Sequence, residues 1–327
     1  MSVVADGNLH IYVVNVGQAD TTIIISPQGN LVIIDAARPD KLVPLLNALG
    51  LNNAGTIEHL IITHPHRDHF SGGNRLANEF TIDRATFAPF WHNFGVGPAT
   101  YRRLIGRLQD AGTRLTFLSG YSRYYPDTVL MPAGGGQDPI ADPDAPFLEL
   151  LGPTNGLVRQ LEDANVFNTN HLTIMSRLTW RNFRMISTGD AQLENWAFFD
   201  QERLMEQPCQ VLRAAHHGSS NGTQWERINR IDPELVIVSS NPPGGHQLPD
   251  LASTAVFTQY DHGAGQMAVI TNDTGTIHLE VQNGGNPTVT VFGDSQTANV
   301  NLAAEQALGN AGPTDWIALL NTRIIEL

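Results

Sequence analysis

The strongest constraint in this chain is local. The apolar run Leu60-Ile61-Ile62 reads as a strand buried on both faces, and it ends at Thr63, directly before His64, His66, Asp68 and His69. Four metal-binding side chains within six residues, on a loop at a strand's carboxyl end, can converge. Imidazole and carboxylate donors together suit zinc, and also manganese or iron, so two cations sharing this loop is chemically sensible. A polar turn that happens to be histidine-rich does not account for that spacing.

The rest of the chain supplies a frame for such a loop. Strand-like runs cover 10–16, 21–26 and 31–35, with the turn Pro27-Gln28-Gly29-Asn30 between the last two. Helical spacing over 40–50 ends on Gly50 and a strand follows over 57–63. A second helix over 99–111, closed by Gly112, precedes a strand over 115–118, and the turn-rich stretch 132–146 reads as a long exposed loop. The second half repeats this grammar: strands over 172–178 and 183–187, a helix over 193–205, then strands over 210–214 and 235–239 around a helix over 224–229. The turn Asn272-Asp273-Thr274-Gly275 predicts a hairpin joining 267–270 to 276–281. Mixed strands with helices in both halves predict an α/β fold, an αββα sandwich of two mixed β-sheets packed face to face with helices outside. The expected organisation is one domain over 1–295, with halves of about 1–165 and 166–295 and a loop insertion at about 84–150. A tail over 296–327 is expected to add one helix.

Composition narrows the chemistry. The single lysine, Lys41, stands between Pro39 and Pro44, which excludes the nucleotide-binding P-loop and the protein-kinase lysine and leaves almost no room for Schiff-base catalysis. A net charge of −13 removes the broad basic surface that grips long duplex nucleic acid. The single Cys209 cannot form an intramolecular disulfide or a multi-thiolate zinc site and reads as a small buried hydrophobe. The apolar runs fall far short of the ~18 residues of a membrane span, and positions 1–6 lack a signal-peptide pattern, so a cytoplasmic protein with no membrane contact is expected.

His64-x-His66-x-Asp68-His69 resembles the HxHxDH motif of the metallo-β-lactamase superfamily. Further pieces follow in that family's order over most of the chain. Val14-Asn15-Val16-Gly17-Gln18-Ala19-Asp20 is similar to the "DVGQGD" opening of the ComEC-like branch, the competence-protein hydrolase domain, with Asn15 and Ala19 departing from it. Leu31-Val32-Ile33-Ile34-Asp35 resembles the strand that ends in the supporting aspartate, and Thr188-Gly189-Asp190 the "TGD" of the bridging carboxylate. Ala215-His216-His217-Gly218-Ser219 resembles that branch's "HHGS", and Gly245-His246-Gln247-Leu248-Pro249 a loosened "GHP".

The resemblance implies two divalent metal ions, zinc or manganese. His64, His66 and His216 would hold the first, Asp68, His69 and His246 the second, and Asp190 would bridge. Whether His216 or His217 is the ligand stays open. The other, or His171, would protonate a leaving group, and His171 is equally readable as a ligand or a supporting residue. Asp20 and Asp35 would orient ligand loops. The implied reaction is hydrolysis by a dinuclear-metal-bound hydroxide positioned by Asp68 and Asp190, with a phosphodiester as substrate, as for the ComEC-like nuclease domain. A small or locally bound phosphodiester suits the acidic chain, its anion held by the metals with an arginine such as Arg67 or Arg213.

Three alternatives remain. A lactonase or amidase would share the fold. A serine hydrolase would use Ser220 of the G-x-S-x-G match at Gly218-Ser219-Ser220-Asn221-Gly222, with Asp250 or Asp261 and His262 or His278. A non-catalytic interaction module would have lost its metals.

Overall fold

Apolar runs as continuous as Ile23-Ile24-Ile25 require a layer on each side of the sheet, and the structure supplies both. The computed structural model describes residues 5–51, 55–88, 99–127, 144–201, 208–241, 247–259, 267–270 and 275–291. Most of the loop expected at 132–146, the tail over 296–327 and His246 lie outside them.

The first part of the chain forms β1 (Leu9–Val13), β2 (Thr22–Ile25), β3 (Leu31–Ile34), α1 (Pro39–Ala48), β4 (Thr56–Ile57), β5 (His59–Ile62), α2 (Arg67–Phe70) and α3 (Gly73–Glu79). There follow β6 (Thr81–Ile82), β7 (Arg84–Phe87), α4 (Ala99–Asp110), β8 (Arg114–Phe117), β9 (Gly120–Tyr124), β10 (Phe147–Gly152) and α5 (Asn155–Asp163). A 3-10 turn at Thr169–Leu172 leads into β11 (Met175–Trp180), β12 (Phe183–Ser187), α6 (Leu193–Gln201) and β13 (Val211–Arg213). The chain continues through α7 (Trp225–Ile231), β14 (Leu235–Val238), α8 (Leu251–Gln259), β15 (Met267–Ile270), β16 (Ile277–Val281) and β17 (Pro287–Val291).

These strands make an eight-stranded sheet in the order β17-β16-β1-β2-β3-β5-β7-β8 and a seven-stranded sheet in the order β15-β14-β13-β12-β11-β10-β9, with β4 and β6 as a separate pair. Alternation along each strand sorts side chains into three apolar layers. Leu60 and Ile62 of β5 join Leu42, Leu76 and Leu104 of α1, α3 and α4 in one outer core. Ile61 joins Val211, Leu235 and Ile237 of the second sheet in the central core. Leu212, Val236 and Val238 meet Trp196 and Ile228 of α6 and α7 in the other outer core. Helix, sheet, sheet and helix therefore stack as the αββα sandwich expected.

One detail departs from the sequence reading. The segments 267–270 and 276–281 do not form a hairpin: β15 pairs parallel with β14 in the second sheet, whereas β16 pairs antiparallel with β1 and β17 in the first. Ile277, Leu279 and Val281 belong to the central core, so burial against β1 prevails over the local turn signal. Each half of the chain contributes strands to both sheets. The described part of 84–150 contains β7, α4, β8, β9 and the start of β10.

Each sheet changes from antiparallel to parallel pairing at one strand. In the first sheet this is β3, antiparallel to β2 and parallel to β5; in the second it is β12, antiparallel to β11 and parallel to β13. Ligands in open α/β sheets gather outside the carboxyl ends of the strands. Among the described residues no helix is long and apolar enough to cross a membrane.

Candidate metal centre

The loops leaving β3, β5, β12 and β13 meet at these carboxyl ends. After β5 the backbone bends at His64 and Pro65 and is extended at His66, with φ −85° and ψ 145°, before α2 begins, so the loop and first helical turn present His64, His66, Asp68 and His69 together. After β12 the chain turns at Gly189, whose φ is 49°; a Cβ there would lie 2.9 Å from Thr173 Cγ2 and 3.3 Å from Thr63 Cβ. Glycine is thus what lets the Asp190 loop close onto Thr63. After β13, His216 and His217 take successive left-handed conformations, with φ of 51° and 53°. Such strain, of order 1–2 kcal/mol per residue, is the kind stored at functional sites.

Asp190 stands at the centre with its two oxygens facing different histidines. Oδ1 is 3.2 Å from His69 Nε2 and 3.7 Å from His217 Nε2. Oδ2 is 3.5 Å from His64 Nε2 and 3.8 Å from His216 Nε2. His66 Nδ1 joins the second group, 3.0 Å from His64 Nε2, and Asp68 Oδ2 joins the first, 3.4 Å from His217 Nε2. His64, His69 and Asp190, and likewise Asp68, His69 and His217, bring their ligand atoms within 4.8 Å of one another.

Hydrogen bonds on the far side of the rings determine which nitrogen faces inward. Asp35 accepts from the Thr63 amide at 2.8 Å and from the Thr63 hydroxyl, and it takes the Nδ1 proton of His69 at 2.7 Å. His217 donates from Nδ1 to the Ser239 carbonyl at 2.9 Å. His64 donates to the Thr63 hydroxyl at 3.2 Å and His216 to Asn221 Oδ1 at 2.7 Å. Each arrangement turns Nε2 toward Asp190, and the rings that the carboxylates hold protonated would give up that proton to offer a lone pair to a cation.

The cluster fits a cation by its orphaned atoms. His69 Nε2, Asp190 Oδ1 and His217 Nε2 are all buried and make no hydrogen bond among the described residues. They face one another at ion-pair distance without an aligned hydrogen bond, and a shared cation would satisfy all three at once. Electrostatics agree. Burial by itself would raise the Asp190 carboxyl, but His69, His217 and His64 hold it well below the usual carboxylate range. Burial would lower His217, yet Asp190, Asp20 and Asp68 lift it to about 9. Burial pushes His64 well down, with the charge of His69 adding to it.

Behind this layer, Arg213 is 1% exposed and paired with Asp20, and its Nη2 donates to Ser239 Oγ at 2.9 Å. Asp20 in turn lies 3.7 Å from His69 Nδ1 and 3.5 Å from His217 Nδ1. Arg213 is therefore committed inside the protein and unavailable to a substrate anion, contrary to the sequence expectation. Its strand, Val211-Leu212-Arg213, is buried at every position, which an apolar run continued by a charge does not announce.

The other predicted residues fall as follows. The geometry brings both His216 and His217 to Asp190. His171 stays out of the cluster: Nδ1 accepts the Asn168 amide at 3.0 Å and Nε2 meets Glu194 at 3.1 Å. Its neighbour Asn170 reaches the site instead, with Nδ2 3.1 Å from His216 Nε2. Asn170, Asn221 and Ser239 were not singled out from the sequence, because polar side chains without ligand spacing carry no signal of their own. The exposed Ser220 gives its amide to Asp250 Oδ2 at 2.6 Å, while His278 is bonded to His10 across the first sheet, 3.0 Å away. Asp261 and His262 lie outside the described residues.

The pattern of the Metallo-beta-lactamase superfamily matches residues 14–240, which include every residue of this cluster. Among solved structures, Tm1679, a metal-dependent hydrolase of the beta-lactamase superfamily, is similar at 13% identity and TM-score 0.51, over 84% of this chain and 99% of that one. The metallo-beta-lactamase fold protein YhfI from Bacillus subtilis is similar at 12% identity and TM-score 0.46, over 84% of this chain and 99% of that one. CmlA, a diiron beta-hydroxylase from Streptomyces venezuelae, is similar at 12% identity and TM-score 0.49, over 80% of this chain and 52% of that one, so this chain spans about half the hydroxylase's length. No curated protein matches the chain in sequence.

Proposed function

The chain belongs to the metallo-beta-lactamase superfamily, and on that premise we propose that it is a dinuclear metal-dependent phosphodiesterase. The observation that carries the reading is the division of Asp190, with one oxygen toward His69 and His217 and the other toward His64 and His216. A carboxylate so placed is suited to bridge two cations, and paired cations suit in-line displacement at phosphorus. His64, His66 and His216 would hold one ion; Asp68, His69 and His217 would hold the other, with His217 in the role the sequence reading gave to His246. Zinc or manganese fits this donor set. The HHGS-like turn and the opening around Asp20 support placement in the ComEC-like branch, and with it a phosphodiester substrate.

Two bound divalent cations make water a competent nucleophile near neutral pH and take up negative charge on phosphoryl oxygens. The protein's own groups do the rest. Asp190 keeps both halves of the cluster in register. Asp68 has a side chain 38% exposed, so it reaches the open side of the cluster, where it can accept a hydrogen bond from the attacking water. Burial opposes its charge, but His217 and His69 hold its carboxyl well below the usual range, so it stays ionised at neutral pH. His69 and His217 are locked from behind by Asp35 and Ser239, which keeps the charge arrangement preorganised.

The test is hydrolysis of bis(p-nitrophenyl) phosphate by protein loaded with Mn²⁺ or Zn²⁺. Turnover that a chelator abolishes, and that Asp190→Asn lowers by about 10²–10³-fold, is the expected result. Metal-loaded protein that leaves this ester and single-stranded DNA intact but opens a lactone would overturn the substrate class. Activity that survives chelation and is lost to a fluorophosphonate would overturn the metal reading.

A further inference from the structure

Three arginines gather where the metal-ligand loop meets the helices, and the cluster does not use them. Arg67, Arg103 and Arg107 line a cavity of about 190 Å³, together with Ser71, Asn74 and Thr100. The cavity borrows Arg67, Phe70 and Ser71 from the ligand turn but none of its ligands. Among the described residues none of the groups lining it is acidic. Three guanidinium groups around one small space repel one another, and in a chain of net charge −13 carboxylates are not scarce.

Two of the lining side chains, Arg107 and Asn74, are held in place. Arg107 donates to Asn78 Oδ1 at 2.7 Å and to the Asn74 carbonyl at 3.4 Å, which orients its fork. Asn74 Nδ2 donates to the Thr100 carbonyl at 3.1 Å, tying α3 to α4. That bond fixes which way the amide faces, and Asn74 Oδ1 is left buried with no hydrogen-bond partner among the described residues. The side chains of Arg67 and Arg103 likewise make no ion pair or hydrogen bond there, and both are exposed. Close packing sets the floor: a Cβ on Gly73 would come within 2.6 Å of Leu104 Cδ2, and Phe70 meets Tyr101 edge-on at 4.9 Å.

We propose that this cavity is a phosphate-binding site separate from the metal centre. The guanidinium groups and hydroxyls supply donors for phosphate oxygens. The Ser71 and Thr100 hydroxyls accept as well as donate, so they can take the P–OH of a protonated phosphate. The volume is below the roughly 300–1,000 Å³ of pockets that enclose whole drug-sized ligands, so it takes a single anionic group. That group is either free inorganic phosphate or a phosphate on a substrate strand whose scissile bond lies at the cluster. The site does not depend on the cluster's being a phosphodiesterase.

The test uses metal-loaded protein, wild type and the double variant Arg103→Ala/Arg107→Ala. Arsenate, which is protonated like phosphate, is soaked into crystals and located by its anomalous signal. The expected map has a peak within hydrogen-bond distance of Arg67, Arg103 and Arg107 that the double variant loses. Calorimetric titration with inorganic phosphate is expected to lose one equivalent in the double variant. Arg103→Gln, at a side chain with no partner to lose, gives the same reading as at least a fivefold weaker Kd should the double variant be unstable. A cavity without a peak, or a peak and an isotherm unchanged by the substitutions, overturns the proposal, and sulfate binding as tightly as phosphate overturns its assignment to phosphate. A substrate-borne phosphate is marked by a KM at least fivefold higher in the variant for a 5′-phosphorylated dinucleotide but not for bis(p-nitrophenyl) phosphate. Free phosphate as ligand leaves both KM values unchanged while the isotherm alone shifts. Should the protein hydrolyse neither ester, peak and isotherm still decide the site.

Discussion

His69 and Asp35 are joined by a 2.7 Å hydrogen bond with no access to solvent, and its direction determines which nitrogen of His69 faces Asp190. The substitution that tests this relationship is Asp35→Asn. Asparagine tolerates the left-handed backbone at this position, where φ is 58°, and can still accept from Nδ1, but it removes the charge that favours a donating ring and turns its NH2 toward the Thr63 amide. Metal affinity is expected to fall about 10–100-fold, measured by competition with a chelating dye, while the far-ultraviolet circular dichroism stays that of the wild type.

Arg213 and Asp20 form a pair with both side chains inside. Removing only one member leaves a buried charge without its counter-ion, so Arg213→Met is expected to cost about 3–5 kcal/mol by urea denaturation. The double substitution Arg213→Met/Asp20→Asn is expected to recover more than half of that loss. Additive single effects in the double-mutant cycle would show that the two groups do not act as a pair.

Gly218 is expected to be intolerant of any side chain. Its φ is 79°, and a Cβ would stand 2.5 Å from Pro249 Cβ and 3.1 Å from Val238 Cγ1. Gly218→Ala should destabilise the protein by at least about 2 kcal/mol. Because the displaced turn carries His217, bound metal measured by mass spectrometry should fall in the same variant.

Acid should unfold the protein through histidines remote from the cluster. Burial pushes His59 down to about 3, with Arg84 and Arg114 adding to the effect, and burial together with His10 takes His278 to about 3. Both rings are neutral in the fold and gain a proton on unfolding below about pH 6.5. Their contribution is therefore present above that pH and is lost as pH falls toward 3, by up to about 1.4 kcal/mol per pH unit for each ring. His59→Gln, which can still meet Thr86, is expected to flatten the decline in urea midpoint between pH 6.5 and pH 4.5 relative to wild type.

Local chemistry was legible in the sequence; geometry set by distant packing was not. His64, His66, Asp68 and His69 announce themselves because four donors share one loop, and Asp190 because Gly189 precedes it at a strand end. The choice between His216 and His217 could not be read, since it depends on two consecutive left-handed residues that swing the rings to opposite oxygens of Asp190. Asn170 lies at the site and His171 does not because a short 3-10 turn, capped by Asn168, determines which of two neighbours points inward. The sheets were legible in strands such as Phe183–Ser187, whose limits match the reading. The placement of β16 was not, because its partner β1 lies at the other end of the chain and leaves no trace in the local pattern.

That pairing also governs the order of events on the ribosome. Leu9 waits for Val281, about 270 residues later, and its neighbour Asn8 waits for Glu280. At roughly 5–20 residues per second the nascent chain carries β1 for tens of seconds before the strand that covers it exists. Through that interval one edge of β1 has main-chain donors and acceptors without their final partner, the condition under which strands join the wrong neighbour. The metal-ligand loop is synthesised early but the sheet that steadies it is completed almost last, so productive folding is tied to synthesis of nearly the whole domain.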